Sequence, residues 1–368
     1  LPFGPINSEL INQFDANPQR VQDGLDPIPT LDFATVAENP QGGMMGVAFE
    51  FATGYAQQFN MQIQQELPKN MVFKVGYVGN VNSRLDTTFN ANQPVPGPGN
   101  SNRNRPFDAI APLVAGITYN TTDANSHYHA LQTTLERRFS SNLGFLLAYT
   151  YSHSIDNTAN AFGGADNGPI PQDIRNRAAD RGTSGFDIKH RMTYSTNYTL
   201  PIGKGEKVDF NNAVANGILG GWKLNGIFTT QTGLPHTPTL QASVSNAGGS
   251  RPDLLGSPKL DNPTRERWFD TSFNAPGAVW GIPQQFTFGN AGRNILRGPG
   301  RTNVDFSLFK DIPLSERFNL QYRAETFNLF NTPQFGLPND AIGNPNAGVI
   351  TSIVGNPRQI QMGLRLSF

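Results

Sequence analysis

The chain of 368 residues carries 28 Lys and Arg residues against 28 Asp and Glu residues, and it contains no cysteine. The balanced charge argues against a nucleic-acid-binding protein, whose surface would be strongly basic, and the missing cysteines exclude a disulfide scaffold and a thiolate metal site. The low hydrophobic content of 37%, together with 38 Gly, 28 Pro and 26 Phe residues, predicts long loops between short, aromatic-rich strands.

The beginning of the chain shows no targeting segment. It starts at Leu1 without an initiator Met and without the pattern of a signal peptide, so we interpret it as a processed product or a fragment. No stretch approaches the ~18 apolar residues expected of a membrane-spanning helix. A barrel strand needs only ~10 residues of alternating polarity, so the low hydropathy is compatible with a membrane β-barrel.

Segments of alternating polarity predict nine strands in an up-and-down order. They follow a loop-rich lead-in over residues 1–54, which contains a tenth candidate strand at Met44–Phe51, and they occupy residues 55–368. The predicted strands lie near 57–67, 71–79, 128–139, 143–152, 190–200, 221–230, 303–311, 318–329 and 358–368. The polar stretch between the second and third of these strands, to about residue 125, is predicted to be a loop.

The last strand has an apolar face and a polar face, because side chains alternate between the two sides of a strand. The apolar face carries Ile360, Met362, Leu364, Leu366 and the terminal Phe368. The polar face carries Gln359, Gln361, Arg365 and Ser367. A two-faced strand that ends in an aromatic residue suits the closing seam of an outer-membrane barrel. Taken alone, it fits the last strand of a soluble sandwich about equally well.

The lengths of the connections separate these two interpretations. Short turns at 68–70, 140–142 and 314–317 alternate with long loops, of which the longest runs from about 231 to 301. Outer-membrane barrels place short turns in the periplasm and long loops outside the cell, whereas a sandwich has no reason to put every long loop at one end. We therefore predict an all-β fold, an antiparallel up-and-down transmembrane β-barrel segment of nine or ten strands.

Charged residues on the strands fall mostly on the polar face. Four of them are predicted to face a wet lumen: Arg191, Arg323, Glu325 and Arg365. An Arg or Lys that faces lipid at mid-bilayer costs roughly 2–4 kcal/mol, and a lumen avoids that cost. Arg137 falls on the apolar face, near enough to a turn for its head group to reach water. Phe309 and Phe327 fall on the polar face and need a bulge or a packed neighbour.

The longest loop contains the residues that we predict to meet a substrate. They are Trp268, Phe269, Phe273, Trp280 and Arg293. Exposed aromatic rings beside charged side chains are typical of a recognition surface for a glycan, a peptide or a siderophore. The alternative is that the rings pack the loop onto itself, since so long a loop needs some internal core to be ordered.

Metal and catalytic chemistry find little support in the sequence. His127, His129 and His153 form a weak candidate metal site at the loop ends, and polar histidines at a loop mouth are the simpler interpretation. The Asp- and Asn-rich loops lack the ligand spacing of a calcium-binding loop. We find no nucleophile elbow and no phosphate-binding glycine loop, so we predict that the protein is not an enzyme and uses no cofactor.

Several stretches resemble the C-terminal part of Oar-like TonB-dependent receptors. Among the most specific are Asn290-Ala291-Gly292-Arg293-Asn294, Leu296-Arg297-Gly298-Pro299-Gly300 and Phe327-Asn328-Leu329-Phe330-Asn331. Further similar stretches are Tyr128-His129-Ala130-Leu131-Gln132, Tyr149-Thr150-Tyr151-Ser152 and Gly220-Gly221-Trp222. The resemblance extends from about residue 55 to residue 368.

This resemblance implies a Gram-negative outer-membrane receptor with a barrel of about 22 strands, an N-terminal plug and a TonB-binding segment. The plug and the TonB-binding segment are not visible in this chain, which would supply barrel wall and substrate-recognition loops. The expected partners are outer-membrane lipid, the plug, TonB, the outer-membrane insertion machinery and an unknown substrate, without nucleic acid. The alternative is a surface or secreted β-rich binding or structural module that assembles with itself through open strand edges.

Overall fold

The computed structural model describes residue 40 and residues 42–157, 171–210, 212–315 and 317–368. Of the predicted lead-in over residues 1–54, residues 1–39 and residue 41 therefore lie outside the described residues. The first strands are β1 (Gly42–Val47), β2 (Tyr55–Leu67), β3 (Met71–Asn90), β4 (Val114–Ser140), β5 (Leu143–Asp156), β6 (Gly182–Thr183), β7 (His190–Thr199) and β8 (Trp222–Gln231). The others are β9 (Pro235–His236), β10 (Thr239–Leu240), β11 (Asp253–Leu254), β12 (Trp280–Gly281), β13 (Leu296–Arg297), β14 (Arg301–Pro313), β15 (Asn319–Phe327), β16 (Ala341–Ile342) and β17 (Gln359–Ser367). A short helix, α1 (Ala213–Leu219), and two 3₁₀ segments, Ser101–Asn104 and Ile174–Asp180, complete the described elements.

Eleven of the strands form one large sheet. Its order is β17-β15-β14-β8-β7-β5-β4-β3-β2, so each long strand pairs with the long strand that follows it in the chain. All of these pairings are antiparallel, whereas β1 joins the side of β4 in the parallel sense. This nearly all-antiparallel, up-and-down sheet confirms the predicted fold class.

The register of the sheet brings the apolar residues of successive strands into rows on one face. One such row runs from β14 to β3 through Val304, Phe228, Tyr194, Leu147, Leu135 and Phe73. None of the described residues covers the apolar side chains of β17, and Leu364 is 72% exposed. An uncovered apolar face on a sheet of this size is what contact with lipid requires.

Aromatic side chains lie near both limits of this apolar face. At the outer limit, the Tyr149 hydroxyl lies 2.8 Å from Nδ1 of His190, and the Tyr77 hydroxyl lies 2.6 Å from Nδ1 of His129. At the limit beside the short turns lie Trp222, Phe318 and Phe368. The eight steps from Leu143 to Tyr151 span about 27 Å along β5, or about 20 Å along the membrane normal at a strand tilt of about 40°. This height agrees with an apolar band bounded by two aromatic girdles.

Strands β3 and β4 extend well beyond this band, in contrast to the predicted loop between residues 80 and 125. β3 continues to Asn90 and β4 begins at Val114, and the two pair in their outer parts, where Phe89 opposes Tyr119 with ring centroids 5.6 Å apart. Outside the membrane neither face needs to be apolar, so the alternation that marks a membrane strand disappears. The Thr, Val and Tyr residues of this region still favour extended structure.

The end of the sheet opposite the long loops carries the short turns. Ser141 and Asn142 connect β4 to β5 with φ values of 46° and 69°, as a two-residue turn matched to the strand twist requires. Lys69 and Asn70 also have positive φ in the turn between β2 and β3. The connection between β7 and β8 is longer and contains α1.

The three residues that fit the face pattern badly are each accommodated by a local contact or by their position in the strand. Arg137 lies on the apolar face beside Met71 and Phe145, and its Nη2 donates to Ser140 O at 3.3 Å, so the guanidinium reaches back to the turn. Phe309 lies opposite Arg323, whose guanidinium carbon sits 5.4 Å from the centre of the ring. Phe327 lies at the outer end of β15 and is exposed.

No helix in the described part of the chain is long and apolar enough to cross a membrane.

Candidate functional site

The long connections gather at the outer end of the sheet and fold together. They are the described residues of four loops: 91–113, 157 with 171–189, 232–300 and 328–358. Small two-stranded sheets order them. β9 pairs with β13 and β11 pairs with β12 within the longest loop, whereas β10 pairs with β16 and joins the longest loop to the last one. β6 extends β5 by pairing with its outer end. We call the described part of these four loops the loop assembly.

The loop assembly has its own hydrophobic core. The core residues are Phe269, Val279, Trp280, Ala291, Leu296 and Ile342, with Leu254, Trp268 and Phe273 packed partly against them. Trp280 is 0% exposed, and its indole Nε1 donates to Asp270 O at 2.6 Å. Phe269 packs edge-on against Trp280 with ring centroids 6.4 Å apart. Ile342 comes from the last loop, so the core ties two loops into one body.

This core decides between the two interpretations of the loop aromatics for two of the four rings. Phe269 and Trp280 are buried, because a loop of this length needs apolar packing of its own. Trp268 and Phe273 are partly buried at the edge of the core, and Trp268 Nε1 donates to Arg297 O at 2.7 Å. Contact of Trp268 or Phe273 with a substrate stays a prediction.

Arg293 is buried rather than exposed, in contrast to its predicted place on a recognition surface. Its side chain is 0% exposed, and Nη2 donates to Asp156 Oδ1 and, at 3.1 Å, to Asp156 O. Asp156 is the last residue of β5. Arg293 therefore fastens the longest loop to the outer end of the barrel sheet.

We call the Arg293–Asp156 pair a clamp, and a second Arg–Asp clamp lies beside it. Arg297 Nη2 donates to Asp187 Oδ2, and Nη1 donates to Asp187 O at 3.3 Å and to Gly233 O at 3.2 Å. The other carboxylate oxygen of Asp187 accepts from Ser154 N at 2.7 Å. Asp187 is buried, and it thus joins β5 to the loops on both sides.

A third clamp joins the longest loop to the 3₁₀ segment Ile174–Asp180. Arg251 Nη2 donates to Asp180 Oδ1, and both side chains are buried. Gln172 adds two bonds, since its Oε1 accepts from Arg251 N at 2.6 Å and its Nε2 donates to Gly289 O at 3.0 Å. Desolvation by burial raises the pKa of Asp180 even though the Arg251 charge opposes that shift.

A cavity of about 370 Å³ opens against this third clamp. Its lining combines the buried pair with polar groups and one aromatic ring, and it includes Asp173, Asn176, Ala179, Asp180, Arg251, Phe288 and Asn290. The Nε atom of Arg251 is buried without a hydrogen-bond partner among the described residues. We call this space the loop cavity. Its size suits a small polar molecule.

One buried histidine was not singled out by sequence reasoning. His236 in β9 is fully buried, and neither ring nitrogen has a hydrogen-bond partner among the described residues. Its Nδ1 lies 3.6 Å from Asp340 Oδ2, and the Phe269 ring lies 6.2 Å away. A lone histidine between Pro and Thr gives no signal of this position, because the contacts come from loops distant in the chain.

The three histidines of the weak candidate metal site lie on the outer parts of β4 and β5. His129 opposes His153 in the register, and His127 lies two residues before His129 in β4. His129 is engaged by Tyr77, while His153 Nδ1 lies 3.5 Å from Asp187 Oδ1. In the described ranges, no three His, Asp or Glu side chains are placed to hold a metal ion.

The four predicted lumen residues share the face of the sheet opposite the apolar rows. The register places Arg323 beside Phe309, Glu325 beside Gln361, and Arg365 beside Gln321. Arg191 lies beside Gln231 on the same face of β7 and β8. Their exposure to a water-filled lumen stays a prediction.

The sequence matches the family model described as an outer membrane beta barrel domain over residues 2–361. The chain belongs to this family. Its place is therefore the outer membrane of a Gram-negative bacterium, with the apolar rows facing lipid. No protein in the curated collection of characterised sequences matches the chain.

Solved outer-membrane proteins show a distant likeness. The outer membrane transporter YddB from Escherichia coli is 9% identical, with a TM-score of 0.47, 89% of this chain covered and 34% of that chain. The ferric preacinetobactin receptor BauA from Acinetobacter baumannii is 10% identical, with a TM-score of 0.43 and coverage of 85% and 29%. The pyoverdine receptor FpvA from Pseudomonas aeruginosa PAO1 is 10% identical, with a TM-score of 0.42 and coverage of 86% and 30%. The chain thus spans about a third of the length of these proteins.

Proposed function

We propose that the chain is the C-terminal barrel part of an Oar-like TonB-dependent receptor, and that the loop assembly forms its substrate mouth. The observation that carries this proposal is the loop cavity, held in a fixed shape by buried Arg–Asp clamps at the extracellular end of a membrane sheet. Loops that only connect strands do not need buried ion pairs to hold them. A preformed cavity reduces the ordering cost of binding.

The proposed receptor works with parts that precede this chain. A plug would fill the barrel, and TonB would supply energy from the inner membrane through a segment outside residues 1–368. The edges of β2 and β17 are the places where further barrel strands would pair, since each has a long-strand neighbour on one side in the described sheet. Insertion would depend on the outer-membrane insertion machinery. We propose no catalytic role and no resident cofactor.

Uptake by cells that carry the intact protein tests this proposal. Strains with and without the protein are compared on a panel of labelled ferric siderophores, glycans and peptides, each in the presence and absence of TonB. We expect at least one solute whose uptake needs both proteins. A panel on which no solute depends on either protein would argue against a transport receptor.

Two matched variants test the loop cavity itself. Ala179 is exposed and lines the cavity, so Ala179→Trp is expected to block it and to lower uptake at least tenfold. Ala178 is also exposed and lies on the same 3₁₀ segment without lining the cavity, so Ala178→Trp serves as the control. Equal uptake by the two variants would place substrate recognition elsewhere.

A surface module that assembles with itself is the second candidate, and the exposed strands β2 and β17 favour it. The mass of the intact polypeptide in native membranes separates the two functions. A mass near 40.1 kDa would favour the module. A mass near three times that value would favour the receptor.

A further inference from the structure

The connection between β7 and β8 contains a helix whose polar groups point toward the protein. Asn212 caps α1, since its Oδ1 accepts from Val214 N at 2.9 Å. Asn216, inside the helix, donates to Phe210 O at 2.7 Å and to Asp209 Oδ1 at 2.6 Å. These bonds hold the helix on the preceding part of the connection by its polar side.

The apolar side of α1 is exposed. Val214 is 68% exposed and Ile218 is 60% exposed, and the adjacent Leu219 is exposed as well. The surface helix of a water-soluble protein has the opposite arrangement, with its apolar stripe on the core and its polar face in water. An outward apolar stripe on a helix that is held by its polar groups is typical of a helix lying in a membrane interface.

A lysine on the apolar face of the sheet fixes where this helix lies. Lys310 in β14 opposes Trp222 and Tyr322 in the apolar rows, yet it is buried. Its Nζ donates to Ile218 O at 2.8 Å and to Gly220 O at 2.7 Å, and it sits 4.8 Å from the centre of the Trp222 ring. A cation at the C-terminal carbonyls of a helix satisfies groups that have no partner within the helix.

These contacts place the C-terminal end of α1 on the lipid-facing side of the sheet. The Trp222 indole Nε1 donates to Ile218 O at 3.1 Å, so the first residue of β8 and Lys310 hold the same carbonyl. The helix lies at the end of the sheet that carries the short turns, which is the periplasmic end. The exposed side chains of Leu314 and Phe318 belong to the neighbouring turn at this end.

We propose that α1 is an interfacial anchor that inserts Val214, Ile218 and Leu219 into the periplasmic phospholipid leaflet of the outer membrane. The apolar stripe of the helix continues the lipid-facing rows of the sheet, so one hydrophobic surface passes from the barrel wall to the helix. Lys204 and Lys207 in the same connection are exposed, and their ammonium groups are suited to bind the phosphate groups of lipids.

The two acidic residues of the connection are occupied by hydrogen bonds. The Glu206 carboxylate accepts from Asn142 Nδ2 at 3.1 Å, and the Asp209 carboxylate accepts from Gly205 N at 3.1 Å as well as from Asn216. Neighbouring N–H groups thus hold both carboxylates against the protein, while the side chains of Lys204 and Lys207 remain exposed.

Site-directed spin labelling of the intact protein tests the anchor. The chain has no cysteine, so Val214→Cys, Ile218→Cys and the control Lys204→Cys each introduce one labelling site in it, with the unsubstituted protein as background. The protein is reconstituted into vesicles of phosphatidylethanolamine and phosphatidylglycerol. Collisions of each label with dissolved oxygen, which concentrates in lipid, are compared with collisions with a water-soluble nickel chelate.

We expect the ratio of oxygen to nickel accessibility to be severalfold higher at positions 214 and 218 than at position 204. Ratios at positions 214 and 218 as low as that at position 204 would overturn the proposal, because the apolar side of the helix would then not enter the hydrocarbon of the membrane. All three side chains are exposed, so the substitutions leave the barrel intact.

A second variant tests the role of Lys310. Lys310→Met keeps an unbranched side chain but removes both bonds to the end of α1, so the label at position 218 should become more mobile and its accessibility ratio should fall toward that of position 204. Lys310→Arg, which retains donors and charge, should restore the ratio. An unchanged ratio in Lys310→Met would show that the lysine does not hold the helix. None of these measurements depends on the uptake of a substrate.

Discussion

Removing the guanidinium of Arg293 should release the longest loop from the end of β5. Both side chains of the Arg293–Asp156 pair are buried, with relative exposures of 0% and 2%. Removing one partner of a buried ion pair leaves the other charge uncompensated and costs about 3–5 kcal/mol. For Arg293→Met we therefore expect the opening equilibrium of the loop to rise by about 10²–10⁴-fold, since each 1.4 kcal/mol is a factor of ten.

Hydrogen exchange of the intact protein in detergent measures this opening. The informative amides lie in residues 291–297 and in β6, on the two sides of the clamp. Exchange there should accelerate strongly in Arg293→Met, while exchange in β7 and β8 should not change. The strands of the barrel wall thus report whether the whole protein has been destabilised.

Arg267→Met is the matched control. Arg267 also pairs with an aspartate in the same loop, at 2.7 Å, but its side chain is 54% exposed. Exposed pairs contribute roughly 0–1 kcal/mol, so this variant should exchange nearly as the unsubstituted protein does. The double variant Arg293→Met with Asp156→Leu should lose less protection than Arg293→Met, because no unpaired charge remains. If Arg293→Met matched Arg267→Met, the buried pair would not be what holds the loop.

Three further outcomes are expected. Trp280→Ala should cost the loop assembly about 3–5 kcal/mol, seen as faster proteolysis of residues 232–300 with an intact barrel; unchanged proteolysis would mean that this core does not hold the loops. Leu364→Arg should lower the free energy of unfolding in lipid by about 2–4 kcal/mol, whereas Gln361→Arg on the other face should have little effect. Equal losses of stability in the two variants would contradict the assignment of the faces. Hydrogen bonds from Ser272 and the Arg267 charge lower the pKa of Asp270, so its contribution to loop stability is complete above its ordinary value of 3.8 and is lost as the pH falls through the lower value of the folded state. Loop protection in Asp270→Asn should lack this acid-dependent loss.

The membrane strands could be predicted from the sequence because two constraints act on each residue. Lipid requires an apolar side chain at every second position, and the other face accepts polar ones. The alternation in β17 follows directly from this requirement, and the register then aligns Leu364 with Tyr322 and Met362 with Ala324. Arg137 and Phe309 break the pattern, and each is accommodated by one local contact of its side chain.

The outer parts of β3 and β4 could not be predicted in the same way. Above the lipid, both faces meet water or other loops, so the pattern of Thr, Asn and Ser residues there carries no period. What forms the strands is the pairing of two segments with a favourable extended propensity, such as Thr88 with Asn120, whose side chains also share a hydrogen bond of 2.7 Å. Pairing partners at this distance are not visible in a single sequence.

The residues of the candidate site lie in the outer loops, but their contacts could not be predicted from the sequence. Arg293 and Asp156 are 137 positions apart, and only the folded loops bring them together. An arginine in a Gly- and Asn-rich loop suggests an exposed surface, because buried charge is rare unless it is paired. The partner decides the role, and no local spacing names the partner.

The distribution of buried groups follows from the solvent around each part of the protein. The barrel wall presents its apolar side chains to lipid, so the described sheet needs little apolar core of its own, and Leu364 remains exposed. The loop assembly stands in water, so it must bury Trp280, Phe269 and Ile342 internally. Polar backbone and charged groups near that core then require partners, and the clamps on Asp156, Asp180 and Asp187 supply them. A loop assembly that stands in water on a sheet in lipid therefore needs stability of its own, which is why mutations in the clamps should open the loops without unfolding the strands.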